Sequence, residues 1–150
     1  MDLREVTYCG LYCGLCASRR RIPTRAAALR RDLRREGYDR LFFDIPGMAD
    51  IWESFWEGLT RLADGACPGC RGDGGDPGCE IRKCARGHGL TLCVECADWS
   101  CAKHDVLCHY PMARADNARL KLIGLEKWVA EQEERAESGF AYADVRLPAD

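Results

Sequence analysis

The sequence predicts a small, mainly α-helical, metal-rich domain whose irregular loops are stapled by zinc, with room for one short β-hairpin around residues 90–94. Three observations lead there. The chain carries 11 cysteines in 150 residues, gathered near the start (residues 9–16) and in a block from 67 to 108. The fifty residues between those groups hold no cysteine and repeat apolar side chains at helical spacing. The segment 65–89 is rich in glycine and poor in large apolar side chains, so it cannot bury a core of its own and something else must hold it.

In the insert 24–63, Thr24 is placed to N-cap a helix over 25–36, and Gly37 to end it in a left-handed conformation. Pro46-Gly47 marks a turn. A second helix spans 48–63, where Ile51, Phe55, Trp56, Leu59 and Leu62 recur on one face. That stripe reads as core, and Trp52 and Trp56 as core aromatics without a cofactor role. After the cysteine block, helix formers dominate from 113 to 138, with Leu120, Ile123, Trp128 and Val129 available for one face and Gly124 weakening the middle. Residues 139–150 have no clear period and read as an extended or frayed tail. No segment repeats, and the length of 150 residues fits one domain.

Cysteine at this density points to disulfides or to metal. Met1-Asp2-Leu3-Arg4-Glu5 is charged, and no apolar run of signal-peptide length follows it. No stretch approaches the ~18 apolar residues of a membrane-crossing helix. These features predict a cytoplasmic protein with no membrane partner, in a reducing setting where thiols survive as ligands. An odd number of cysteines also fits complete pairing poorly. The net charge of −2 gives the chain as a whole no attraction for nucleic acid. Locally, residues 19–40 hold nine arginines against three acids, and residues 126–150 seven acids against three basic residues. Aromatic residues are not interleaved with the arginines as base stacking requires, so the basic stretch reads first as a solvated helix face.

Three Cys-x-x-Cys pairs are present: Cys13–Cys16, Cys67–Cys70 and Cys93–Cys96. Two intervening residues let a tight turn aim both sulfurs at one ion while backbone N–H groups donate to the thiolates, and Pro68-Gly69 suits such a turn. Twenty-two residues separate the second pair from the third, the general spacing of a four-cysteine zinc site. On spacing, Cys67, Cys70, Cys93 and Cys96 share one ion. A second ion draws on Cys9, Cys13, Cys16 and one of Cys79, Cys84 or Cys101. Eleven thiols fill two tetrahedral sites without histidine, so His88, His104 and His109 read as surface residues. His109, beside Cys108, is the best exception.

The spacing Cys9-x3-Cys13-x2-Cys16 is also that of radical S-adenosylmethionine enzymes, whose large α/β barrel this chain is too short to form. An iron–sulfur cluster held by the same thiolates is the stronger alternative to zinc. Zinc leads because the pairs are knuckle-like and no common ferredoxin spacing appears.

The run Thr7-Tyr8-Cys9-Gly10-Leu11-Tyr12-Cys13-Gly14-Leu15-Cys16 resembles the opening motif of a cysteine-rich family of bacterial and archaeal proteins that carries a domain-of-unknown-function label and is described as zinc-binding. The likeness continues in Cys67-Pro68-Gly69-Cys70-Arg71-Gly72, in Cys79-Glu80-Ile81-Arg82-Lys83-Cys84-Ala85, in Cys93-Val94-Glu95-Cys96 and in Cys101, spanning residues 6–104. It implies that Cys9, Cys13, Cys16, Cys67, Cys70, Cys79, Cys84, Cys93, Cys96 and Cys101 are the metal ligands and that Cys108 lies outside the pattern. Relatives commonly end the motif in aromatic-Pro-Cys, where this chain has Trp99-Ser100-Cys101, so the local turn is expected to differ. The resemblance supplies no reaction.

No P-loop, His-Glu-x-x-His helix or nucleophile elbow is present. No catalytic residue is therefore assigned. The expected function is a regulatory or accessory module that binds another protein, with about two structural zinc ions. Electron transfer or redox sensing through an iron–sulfur cluster is the first alternative. Zinc-dependent nucleic-acid binding through the arginines of residues 19–40 is the second.

Overall fold

Helix α1 spans Arg21–Arg35, and it begins ahead of the residue expected to cap it. Thr24 lies inside the helix and its hydroxyl donates to the Arg20 carbonyl at 2.8 Å. Pro23 sits in the first turn, where a missing N–H leaves no bond unmade. Arg34 and Arg35 occupy the last turn, favourable for the helix dipole, and Gly37 follows in the left-handed region at φ 78°. A short helix α2, Tyr38–Leu41, and a turn at Gly47 lead into α3, Ala49–Asp64. The two predicted helices and both turns are therefore present.

The structure is a computed structural model that describes residues 2–65 and 67–146. It divides into two units: Ser18–Cys67, which holds α1 to α3, and the remainder on either side of it in sequence. In the helical unit the Arg30 guanidinium grips Asp64 with two bonds of 2.7 Å, and the Arg34 guanidinium lies 5.5 Å from the Trp56 ring centre. Trp52 stacks on Phe42 and Phe55 at 4.5 and 4.9 Å. The stripe predicted as core is a correction. Of its members only Leu59 is buried, whereas Ile51, Phe55 and Leu62 are 64%, 41% and 53% exposed. Helical spacing identifies an apolar face but not a neighbour to cover it, and among the described residues of this unit only Ala26 and Leu59 are buried. Gly58, in the interior of α3, has nothing within 4 Å of where a Cβ would stand. Glycine there costs about 1 kcal/mol of helix stability relative to alanine.

The cysteine-bearing unit has an apolar core after all. Val6, Tyr12, Leu15, Leu92, Val94, Leu120, Trp128, Val129 and Tyr142 form it. Its helices are α4 (Glu80–Gly87), α5 (Ala113–Ile123) and α6 (Leu125–Glu137). The single helix expected over 113–138 is two, because Gly124 takes φ 83° and ψ 162°, well outside helical geometry. The break lets Leu120 and Trp128 both reach the core. The hairpin expected around residues 90–94 is absent among the described residues. Cys93–Glu95 is a 3-10 turn instead, with Leu92 and Val94 buried on either side of Cys93. The one strand-like pairing described is an antiparallel bridge between Val6 and Tyr12.

The tail is also corrected. Ala141 and Tyr142 are buried, and the Tyr12 backbone N–H donates to the Tyr142 hydroxyl at 2.9 Å. The last four residues of the expected tail, 147–150, lie outside the described residues. The result is a mainly helical protein with almost no strand. No described helix is long and apolar enough to cross a membrane.

Candidate metal centre

The first cysteine loop is shaped by short-range bonds. Thr7 closes it: its hydroxyl accepts from the Leu11 N–H at 2.9 Å and lies 3.1 Å from the Cys9 sulfur. Gly10 adopts φ 79°, and a Cβ there would collide with the buried Asn117 side chain. That close approach lets Asn117 Nδ2 donate to the Cys9 carbonyl at 3.0 Å. The Cys16 N–H returns to the Cys13 carbonyl at 3.0 Å, the tight turn expected of a Cys-x-x-Cys pair.

The glycine-rich loop is clasped by arginines, which sequence reasoning did not foresee. Arg82 on α4 is 6% exposed, and its guanidinium donates to the carbonyls of Gly74 and Asp76 at 2.8 Å each and to that of Cys70 at 3.4 Å. Arg71 donates to the Val6 and Thr91 carbonyls at 2.8 and 2.6 Å while lying over the Tyr8 ring. Arg86 pairs with Asp73 at 2.9 Å. Buried guanidinium donors satisfy carbonyls that a loop without regular structure leaves unpaired.

The Cys93–Cys96 pair repeats the first turn, with the Cys96 N–H 3.0 Å from the Cys93 carbonyl. A third turn of the same kind joins His104 N–H to the Cys101 carbonyl at 2.9 Å. The Cys93 N–H donates to the Tyr8 carbonyl at 2.7 Å, tying this loop to the first. His104 is 2% exposed, and its Nε2 lies 3.2 Å from the Cys93 sulfur. Its Nδ1 is buried with no hydrogen-bond partner among the described residues, and its ring meets Trp99 edge-on. Burial, aided by Arg114, lowers its pKa and keeps the ring neutral. Of the three histidines the sequence favoured His109, yet it is His104 that lies against Cys93 and His88 that lies against Cys84, with its Nδ1 3.8 Å from that sulfur. For His104, the spacing of two residues between it and Cys101 was the available signal. The Trp99–Ser100 peptide, where a different turn was expected, is cis.

The thiols fall into two groups. Burial pushes the Cys9 thiol up to about 11, bonds from Thr7 and Leu11 oppose the rise, and the Cys70 and Cys79 thiols add to it. Burial likewise pushes Cys93 up to about 11, with Cys101, Cys96 and Cys84 adding. Tyr110 is raised by burial, with Arg146 opposing the rise and Cys16 and Cys9 adding to it. This grouping differs from the one drawn on spacing, in which the pair Cys67–Cys70 joined Cys93–Cys96. Cys13 is buried in the first loop, in the same turn as Cys16. Cys67 ends the helical unit, where its carbonyl accepts from Arg19 at 2.7 Å. Cys108 is exposed. All eleven cysteines are free thiols. Among the described residues no three Cys, His, Asp or Glu side chains converge tightly enough to form a ready-made metal site.

Fold and thiols together define a class: a small, mainly helical, cysteine-rich protein that carries reduced cysteines in separate groups on irregular loops. The family model described as a protein of unknown function (DUF3795) matches residues 5–106, and the chain belongs to that family. No curated protein and no solved structure matches it.

Proposed function

We propose that this chain is a zinc-stapled module that binds another protein. One observation carries the metal half of the reading: Cys70 and Cys79, about sixty residues or more along the chain, are near enough to Cys9 to raise its pKa, and Cys84, Cys96 and Cys101 are near enough to raise that of Cys93. Unpaired thiols that crowd in this way repel once ionised, and a bound cation removes the repulsion. The first centre takes Cys9, Cys70 and Cys79 with Cys16 as the fourth donor. The second takes Cys84, Cys93, Cys96 and Cys101, with the His104 ring beside Cys93 as a hydrogen-bond donor to the thiolate.

Zinc at such sites cross-links the loops and, with four thiolates, leaves no open position for a reaction. The chain's own groups do the rest. Thr7 and His104 donate toward thiolate sulfurs and stabilise the ionised form, while Arg82 and Asn117 fix the backbone that presents Cys70 and Cys9. At neutral pH thiols with pKa near 11 are protonated, so zinc uptake releases protons.

The test is elemental analysis and an absorption spectrum on one anaerobically purified sample. About two colourless zinc ions per chain support the module. Iron with acid-labile sulfide and a brown colour overturns it in favour of redox chemistry.

A further inference from the structure

We infer that the apolar groove between α1 and α3 is the docking site for an acidic amphipathic helix of a partner protein, which rests on the interaction-module reading above. Ile22 and Leu29 form one wall, Phe55 and Leu62 the other, and Gly58 leaves the space between them open. These four apolar side chains are between 38% and 53% exposed. The one charged residue lining the groove is Arg25, and no carboxylate lines it.

The spacing of the walls selects a helix. Ile22 and Leu29 are seven residues apart, and so are Phe55 and Leu62. Seven residues are about two helical turns, roughly 10 Å. An incoming helix that places apolar residues at i, i+3 or i+4, and i+7 matches both walls. Gly58 fits the same purpose, since it forgoes a side chain in a helix interior and so lets another backbone approach.

Charge selects the sign. Residues 19–40 carry nine arginines against three acids, and α3 carries Asp50, Glu53, Glu57 and Asp64 against Arg61, yet none of those carboxylates lines the groove whereas Arg25 does. Arg30 is engaged with Asp64, and Arg34 lies over Trp56, both within the unit. Arg25, on the rim, makes no ion pair among the described residues. A partner helix with carboxylates flanking its apolar stripe meets that rim favourably, whereas a basic one is repelled.

Two fluorescein-labelled synthetic helices with identical apolar positions, one with glutamate and one with lysine elsewhere, test this on the full zinc-loaded chain by anisotropy at physiological salt. The glutamate peptide binds at least tenfold more tightly. Gly58→Gln fills the groove with a better helix former, keeps the circular dichroism spectrum, and weakens binding at least tenfold. Arg25→Glu erases the preference for glutamate. Equal affinity for both peptides, or Gly58→Gln that binds like the parent, overturns the inference. So does a dimer in sedimentation that Gly58→Gln dissociates, which makes a second copy the occupant, or a DNA duplex that displaces the glutamate peptide. Zinc content on the same sample separates the two readings. A zinc-free protein sinks the metal staple and leaves the groove testable, while a zinc-loaded protein that ignores the glutamate peptide sinks the groove alone.

Discussion

The two units of this chain use apolar residues in opposite ways. The cysteine-bearing unit, with shorter helices and a glycine-rich loop, gathers Trp128, Val6, Leu15 and Tyr142 into a closed core. The helical unit, with the longer helices, buries only Ala26 and Leu59 among its described residues and leaves an apolar stripe exposed. Good local structure and good burial are thus separate properties. Loops can close a core when long-range bonds position them, and regular helices do not by themselves make one.

The comparison breaks most readily on metal. Under reducing conditions, chelation of zinc is expected to unfold the loops of the cysteine-bearing unit and to spare α1 and α3, because structural zinc contributes about 10–16 kcal/mol in small peptides. Hydrogen exchange read by mass spectrometry should show protection lost across residues 70–108 and retained in α1 and α3. Uniform protection before and after chelation would count against the staple. Next comes Trp128→Ala, which removes a fully buried indole and should cost about 3–5 kcal/mol in denaturant unfolding.

Arg82→Ala should cost about 2–4 kcal/mol, since three carbonyls lose a buried cationic donor. Arg82→Lys should recover little of it, because one ammonium cannot reproduce the fork that reaches Gly74 and Asp76 together. At the small end, Leu62→Gln in the exposed stripe should change stability by no more than about 0.5 kcal/mol. A loss of several kcal/mol there would mean that the stripe is covered in solution, and the contrast between the units would fail.

What the sequence disclosed follows the range of each interaction. Helices α1 and α3, the turns at Gly37 and Gly47 and the weak point at Gly124 depend on neighbours a few residues away, and periodicity revealed them. The extra turn before Thr24 was missed, because Pro23 is harmless only in a first turn and nothing nearby marks which turn is first. Arg82 and Asn117 read as ordinary polar residues until the carbonyls they serve are brought beside them. Tyr142 looked like part of a frayed end because its partner, the Tyr12 N–H, lies 130 residues away. The ten family cysteines were legible as a set, since thiols are rare and their spacing is conspicuous. Their division into groups was not, because Cys9 meets Cys70 and Cys79 only through the fold.

The bond from Tyr12 to Tyr142 also bears on synthesis. A ribosome adding about 5–20 residues per second needs roughly 6 to 26 seconds to travel from one to the other. For most of that interval the residues of the helix that carries Trp128 have not yet been made. The nascent chain therefore presents its first thiols well before it can shelter them, with the whole Ser18–Cys67 unit made in between. Premature oxidation or capture of a wrong metal during translation is the hazard this order creates, and it lasts longest for the amino-terminal loop.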